Sequence, residues 1–104
     1  MKTKRISLPE NIYITHLDKK RYAIEYTKFG LEPDTKEITK INSVLRKTFS
    51  KVAKDIGSKS TSKDATRCWI RDGELAVGFT FTSKLGLDDM DELFELGVDS
   101  REDY

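Results

Sequence analysis

Histidine, cysteine and tryptophan occur once each in the 104 residues and proline only twice. The lone Cys68 cannot close an intramolecular disulfide, so nothing in the cysteine usage points to an oxidising compartment. Together with His16 it falls short of the roughly four Cys or His ligands of a structural zinc site, and the two leave few parts for a nucleophile-and-base pair. Walker-type loops, dinucleotide fingerprints, Gly-x-Ser-x-Gly and His-Glu-x-x-His are missing as well. No catalytic residue, metal ligand or cofactor site is therefore expected. No apolar stretch approaches the roughly 18 residues that would cross a bilayer, and Met1-Lys2-Thr3-Lys4-Arg5 is not followed by the apolar segment of a secretory signal. A cytoplasmic protein without membrane contact is the expectation.

Charge, by contrast, is abundant, at 36% of residues, and it is unevenly placed. Residues 1–63 carry 15 Lys and Arg against 7 Asp and Glu, whereas residues 64–104 carry 4 against 11, so a net charge of +1 conceals halves of +8 and −7. Such asymmetry suggests a polyanion-binding surface, an acidic interaction segment, or both. Docking of the acidic end on the basic half, with the charge serving solubility, would produce the same pattern.

Along the chain, residues 1–10 read as a basic flexible arm ending near Pro9. A single α+β domain follows over residues 11–97, and residues 98–104 form an acidic tail expected to fray. Within the domain, Asn11 to Leu17 alternates with Ile12 and Ile14 on one face, and Arg21 to Phe29 alternates with Tyr22, Ile24 and Tyr26 on one face, joined by the polar turn Asp18-Lys19-Lys20. A helix then runs from an N-cap at Asp34, with Glu37 completing an acidic capping box, to a C-terminal cap at Gly57. Ile38, Ile41, Leu45, Phe49, Val52 and Ile56 fall within a stripe about 80° wide on it, which must face a core; Val44 alone lies outside.

Asp72-Gly73 is a favoured two-residue turn joining Ala65–Arg71 to Glu74–Thr82. Its register opposes Ile70 to Leu75, Cys68 to Val77 and Thr66 to Phe79 on the core side, and Arg71 to Glu74, Trp69 to Ala76 and Arg67 to Gly78 on the other. Leu87 to Leu96 places Met90, Leu93 and Phe94 at helical spacing before Gly97. The whole predicts ββα-ββα: a four-stranded antiparallel sheet from two hairpins, with one long and one short helix packed on one face. Whether the hairpins share one sheet is not settled by the pattern.

Three constellations stand out from this framework. Lys36, Lys40, Lys47, Lys51 and Lys54 fall within about 60° of one another on the long helix, nearly opposite its apolar stripe, and no carboxylate lies among them. A phosphate backbone would offset their mutual repulsion by releasing counterions; a merely solubilising face would look the same. Arg67, Trp69 and Arg71 share the outer strand face with small neighbours, a surface that could stack an unpaired base, serve as a protein hot spot, or be covered by a helix or a subunit. At the acidic end, Asp88, Asp89, Asp91, Glu92 and Glu95 decorate the short helix, where the first of them complement its dipole. Their spacing lacks the glycine and terminal glutamate of a calcium loop. His16 near a strand end reads as structural, and Cys68 as a buried, inert thiol.

The stretch Leu8-Pro9-Glu10-Asn11-Ile12-Tyr13-Ile14 with its hairpin resembles the start of the small sheet-plus-helix arm-binding domains of phage integrases. The likeness covers only the first hairpin, and the third strand those domains place before their helix is missing, so no functional residue is carried over.

These features lead to a small non-enzymatic nucleic-acid-binding or regulatory protein. Its lysine-striped helix would contact DNA or RNA phosphates, and its Arg-Trp-Arg strand face would complete the site. The alternative is a phage-type or mobile-element inhibitor or adaptor, whose acidic helix occupies the basic cleft of a nucleic-acid-binding host protein. A homodimer through strand edges or helix faces is compatible with either.

Overall fold

The computed structural model describes residues 5–31, 34–59, 63–71, 73–94 and 96. Its elements are β1 (Ile12–Asp18), β2 (Arg21–Thr27), α1 (Thr35–Val52), β3 (Arg67–Arg71), β4 (Glu74–Thr82) and α2 (Leu87–Leu93). The ββα-ββα order is the expected one, and both hairpins belong to one antiparallel sheet with strand order β1-β2-β4-β3. They join because β2 pairs with β4 from Arg21↔Thr82 to Thr27↔Ala76. Strands β1 and β3 are left at the edges.

The pleat then sorts side chains by parity. Ile14, Ile24 and Phe79 lie in one cross-strand row, since Ile14 pairs with Ile24 and Ile24 with Phe79. This row, with Ile12, Tyr22, Val77 and Phe81, packs beneath Ile41, Leu45, Phe49 and Val52 of α1 and Met90 and Leu93 of α2. Phe49 sits at the centre of the contact, edge-on to Phe79 at 5.4 Å and tilted on Phe81 at 4.9 Å. Burying one such ring contributes on the order of 2–3 kcal/mol, which explains why the apolar stripe of α1 dictates its orientation. Val44, off the stripe, is 45% exposed.

The helix begins where its cap requires, with the Asp34 carboxylate accepting from the Glu37 backbone N–H at 2.8 Å. It ends at Val52 rather than running to Gly57, because residues 53–57 tighten into further turns. Gly57, at φ +73°, still terminates the segment: Ser58 N–H reaches the Ala53 carbonyl at 2.9 Å and Gly57 N–H the Lys54 carbonyl at 3.4 Å. That pair of bonds is a Schellman cap, and the glycine supplies its left-handed residue.

Other boundaries differ for local reasons. Strand β3 starts at Arg67, not Ala65, because the Thr66 hydroxyl is engaged by α1, accepting from Arg46 and donating to Asn42. Helix α2 stops at Leu93, with Phe94 as its extended C-cap. Cys68 does pair with Val77, yet its thiol is exposed and not buried. It lies on an edge strand, and α1 packs on β2 and β4 instead. Of the expected flexible arm, Ile6 bonds the Leu93 carbonyl at 2.7 Å and, with Leu8, lies against the core. Residues 1–4 and the acidic tail 98–104 lie outside the described residues.

Tyr22 is fully buried with the core, and its hydroxyl has no hydrogen-bond partner among the described residues. Burial raises its pKa above the ordinary phenol value. The unfolded chain therefore ionises first, and the stability that neutral Tyr22 maintains is lost as pH rises past about 10. Tyr22→Phe removes a desolvated hydroxyl and should leave stability at neutral pH unchanged or raise it by up to about 1 kcal/mol in urea unfolding, while reducing the alkaline loss. A loss of more than about 1 kcal/mol at neutral pH would mean that the hydroxyl has a partner.

Candidate nucleic-acid interface

Helix α1 turns its apolar stripe to the sheet and so presents the opposite side outward. Lys36, Lys40, Lys47 and Lys51 all lie exposed on it, and Lys54 extends the row into the turn that follows. Among the described residues none of the five makes an ion pair. Lys51 in the last turn also suits the negative end of the helix dipole. The stripe is thus a row of solvated ammonium groups one to two helical turns apart, a spacing at which repulsion in water is weak and strongly screened by salt.

The outer sheet face is built differently from the expectation. Trp69 is only 2% exposed, although neither helix covers it. Its indole lies flat across the sheet over Ala23 and Ala76, with Leu17 alongside, and it passes so close to Gly78 that a Cβ there would sit 2.9 Å from the ring. The indole Nε1–H reaches over β4 to donate to Glu25 Oε2 at 2.6 Å, and the other oxygen of Glu25 accepts from the Thr15 hydroxyl at 2.9 Å. One hydrogen-bonded line therefore ties edge strand β3 to β2 and on to edge strand β1. Glu25 is fully buried beneath it.

This burial removes Trp69 from the groups able to stack on a base: the ring is used in holding the sheet together. Arg67 on the same face is exposed, and the side chain of Arg71 lies outside what the structure describes. Sequence reasoning missed the role of Glu25 because its partner sits on the other hairpin. The signal was present in the small residues Ala23, Ala76 and Gly78, which share the face of the only tryptophan.

A basic cleft, also unanticipated, opens at the end of the sheet where α1 finishes and β4 leaves. It has a volume of about 570 Å³, and Arg21, Lys59, Lys63 and Lys84 line it together with Phe49 and Phe81. Its wall is braced by Arg46, whose guanidinium stacks 3.8 Å above the Phe79 ring and donates to the Asp64 carbonyl at 2.6 Å and the Thr66 hydroxyl at 3.2 Å. Burial lowers the pKa of Arg46 and the Asp64 carboxylate opposes that shift; an arginine so far from neutral pH stays charged. Asp64, the one carboxylate among the described residues that line the cleft, accepts from the Thr80 hydroxyl.

At the other charge pole, Asp88, Asp89, Asp91 and Glu92 are exposed around α2, and Glu95 lies outside the described residues. Asp88 and Asp89 sit in the first turn, where they favour the helix. His16 is half-buried, its Nε2 donating to the Lys19 carbonyl at 3.0 Å and its ring tilted on Tyr22 at 5.2 Å. No helix of the described residues is long and apolar enough to cross a membrane. Comparison with protein-family models, with curated proteins and with solved structures finds no match to this chain.

Two measurements check the outer face. Acrylamide should quench the single tryptophan several-fold less efficiently than free N-acetyltryptophanamide, and quenching at the free rate would contradict the burial. In Gly78→Ala the new methyl would collide with the Ile24 carbonyl oxygen as well as the indole, and the first contact is with backbone that cannot swing aside. A loss of about 2 kcal/mol or more is expected in urea unfolding. A neutral result would show that neither the β2 backbone nor the indole closes on Gly78 as described.

Proposed function

We propose that this chain binds nucleic acid without catalysing a reaction, holding the phosphate backbone along the lysine face of α1. The observation that carries the reading is the row Lys36, Lys40, Lys47, Lys51 and Lys54, exposed throughout and without a carboxylate partner among the described residues. A solubilising helix face normally intersperses acids at i,i+4 with its lysines, because such pairs stabilise the helix by a few tenths of a kcal/mol each. Here the apolar stripe fixes which side of α1 faces water, so the row is held on a rigid element. With Trp69 withdrawn, the interface reads charge and shape, and little base-specific discrimination is expected of it. Arg67 adds an exposed cation on the sheet.

The experiment is a salt titration of binding to labelled single- and double-stranded DNA and RNA. Log affinity should fall steeply and linearly with log salt. Replacing all five lysines by glutamine should flatten that slope by up to about 4.5 for a duplex, since each neutralised phosphate contributes roughly 0.9 to it. Binding that survives the replacement unchanged would remove the helix from the interface. Absence of binding even at low salt would overturn the reading. It would then favour the acidic helix as the functional surface, directed at a basic protein, which charge reversal of Asp88, Asp89, Asp91 and Glu92 should abolish.

A further inference from the structure

We infer that the cleft at the end of the sheet is a binding site for a phosphomonoester, the doubly charged phosphate of a nucleotide or of a nucleic-acid strand end. Its four cations come from three separate segments of the chain: Arg21 opens β2, Lys59 and Lys63 lie in the connection between α1 and β3, and Lys84 follows β4. Segments so far apart converge on one depression only because β2 pairs with β4, which brings Arg21 opposite Thr82 and so next to the turn that carries Lys84. All four cations are exposed, and among the described residues only Arg21 has a salt bridge, a loose 3.7 Å contact to the exposed Asp18. Such a surface pair is nearly neutral in energy and yields readily to a stronger anion.

The cleft's own carboxylate does not cancel this charge. Asp64 is tied to the Thr80 hydroxyl, and the half-buried guanidinium of Arg46 lies close enough to feel its field. Four cations against one compensated acid leave a strong excess of positive charge in a concave place, where the field is focused. An internal phosphodiester carries a single negative charge. A phosphomonoester carries about −1.5 to −2 and three acceptor oxygens, which suits several converging ammonium and guanidinium donors better.

The size of the cleft argues for more than an inorganic ion. Its volume of about 570 Å³ is in the range that accepts a nucleotide-sized group, and the core rings of Phe49 and Phe81 reach its lining. The walls are set by backbone bonds independent of any ligand: Lys84 N–H donates to the Ile56 carbonyl at 3.0 Å, and Ser83 N–H to the Lys20 carbonyl at 2.9 Å. Gly57 faces the Lys84 side chain so closely that a Cβ would lie 2.8 Å from it, which keeps the wall of the cleft compact.

The site does not depend on the lysine face of α1 for its chemistry; it rests on the nucleic-acid reading only for the strand end as a source of the phosphate. The test uses the full chain and matched oligonucleotides that differ only in a 5′-phosphate or a 5′-hydroxyl, with adenosine monophosphate and adenosine as the free-nucleotide pair. Amide shifts of Ser58, Lys59 and Lys84 report occupancy of the cleft, and titration reports affinity. A phosphate-dependent shift at these amides is expected, with the phosphorylated member of at least one pair binding about fivefold or more tighter than its partner.

Lys59→Ala with Lys84→Ala should erase that difference, while Lys36→Gln with Lys40→Gln should not. If both preferences appear, the pocket takes the group from either source; if only one appears, that source is the ligand. Adenosine monophosphate in the cleft with no binding of any strand would retain the site and overturn the reading of α1. Salt-dependent strand binding with no phosphate preference and no shift at these amides would overturn the site and retain that reading.

Discussion

Pairing of β2 with β4 is the contact on which the rest of this molecule depends. Each hairpin alone is a two-stranded ribbon, marginal in water, with neither face wide enough to seat a helix. Joined through β2 and β4 they present Tyr22, Ile24, Val77, Phe79 and Phe81 as one apolar surface, on which the stripe of α1 and the short face of α2 can both be buried. A seven-residue helix such as α2 would not persist by itself, and it is held here by Met90 and Leu93 in the same core.

The same pairing organises the opposite face. Glu25 comes to lie opposite Gly78, and the space left by the missing side chain is filled by the Trp69 indole reaching in from the edge strand. Burying a carboxyl group at the edge of the indole is tolerated because both of its oxygens are hydrogen-bonded, one by the indole and one by Thr15. The outcome is a sheet bolted across all its strands on the face that has no helix. Exposed lysines line α1 and four exposed cations border the cleft, while α2 carries the exposed acids Asp88, Asp89, Asp91 and Glu92. The two charge poles of the sequence therefore become separate surfaces. The salt bridge of Arg21 with Asp18 is local to the turn between β1 and β2 and does not join them.

Local patterns in the sequence are sufficient for much of this. The six-residue apolar stripe identifies α1 and its buried face, Asp34 with Glu37 marks its start, and Asp72-Gly73 sets a register that the β3–β4 ladder keeps from Arg71↔Glu74 to Arg67↔Gly78. These are interactions within one turn or one hairpin, where spacing along the chain translates directly into distance. Expectation and structure part where that translation fails. Cys68 lies in the correct register yet is exposed, because burial depends on how far a helix from elsewhere in the chain extends over the sheet. Trp69 lies on the expected face, but its cover is Glu25 and the small residues of strands that the hairpin pattern could not bring beside it.

By itself, then, the sequence determined the elements, their order, the inward face of each and the polarity of the charge, since periodicity, caps and turn chemistry act over a few residues. It also determined that the lysines of α1 must point to water, because the stripe opposite them has to be buried. Only the tertiary structure decided that the two hairpins share a sheet, that the tryptophan is a strut across it, and that Arg21, Lys59, Lys63 and Lys84 surround one cleft. Those outcomes rest on contacts between residues up to 63 positions apart, from Arg21 to Lys84, and the energy of such contacts is available only after the chain has closed on itself.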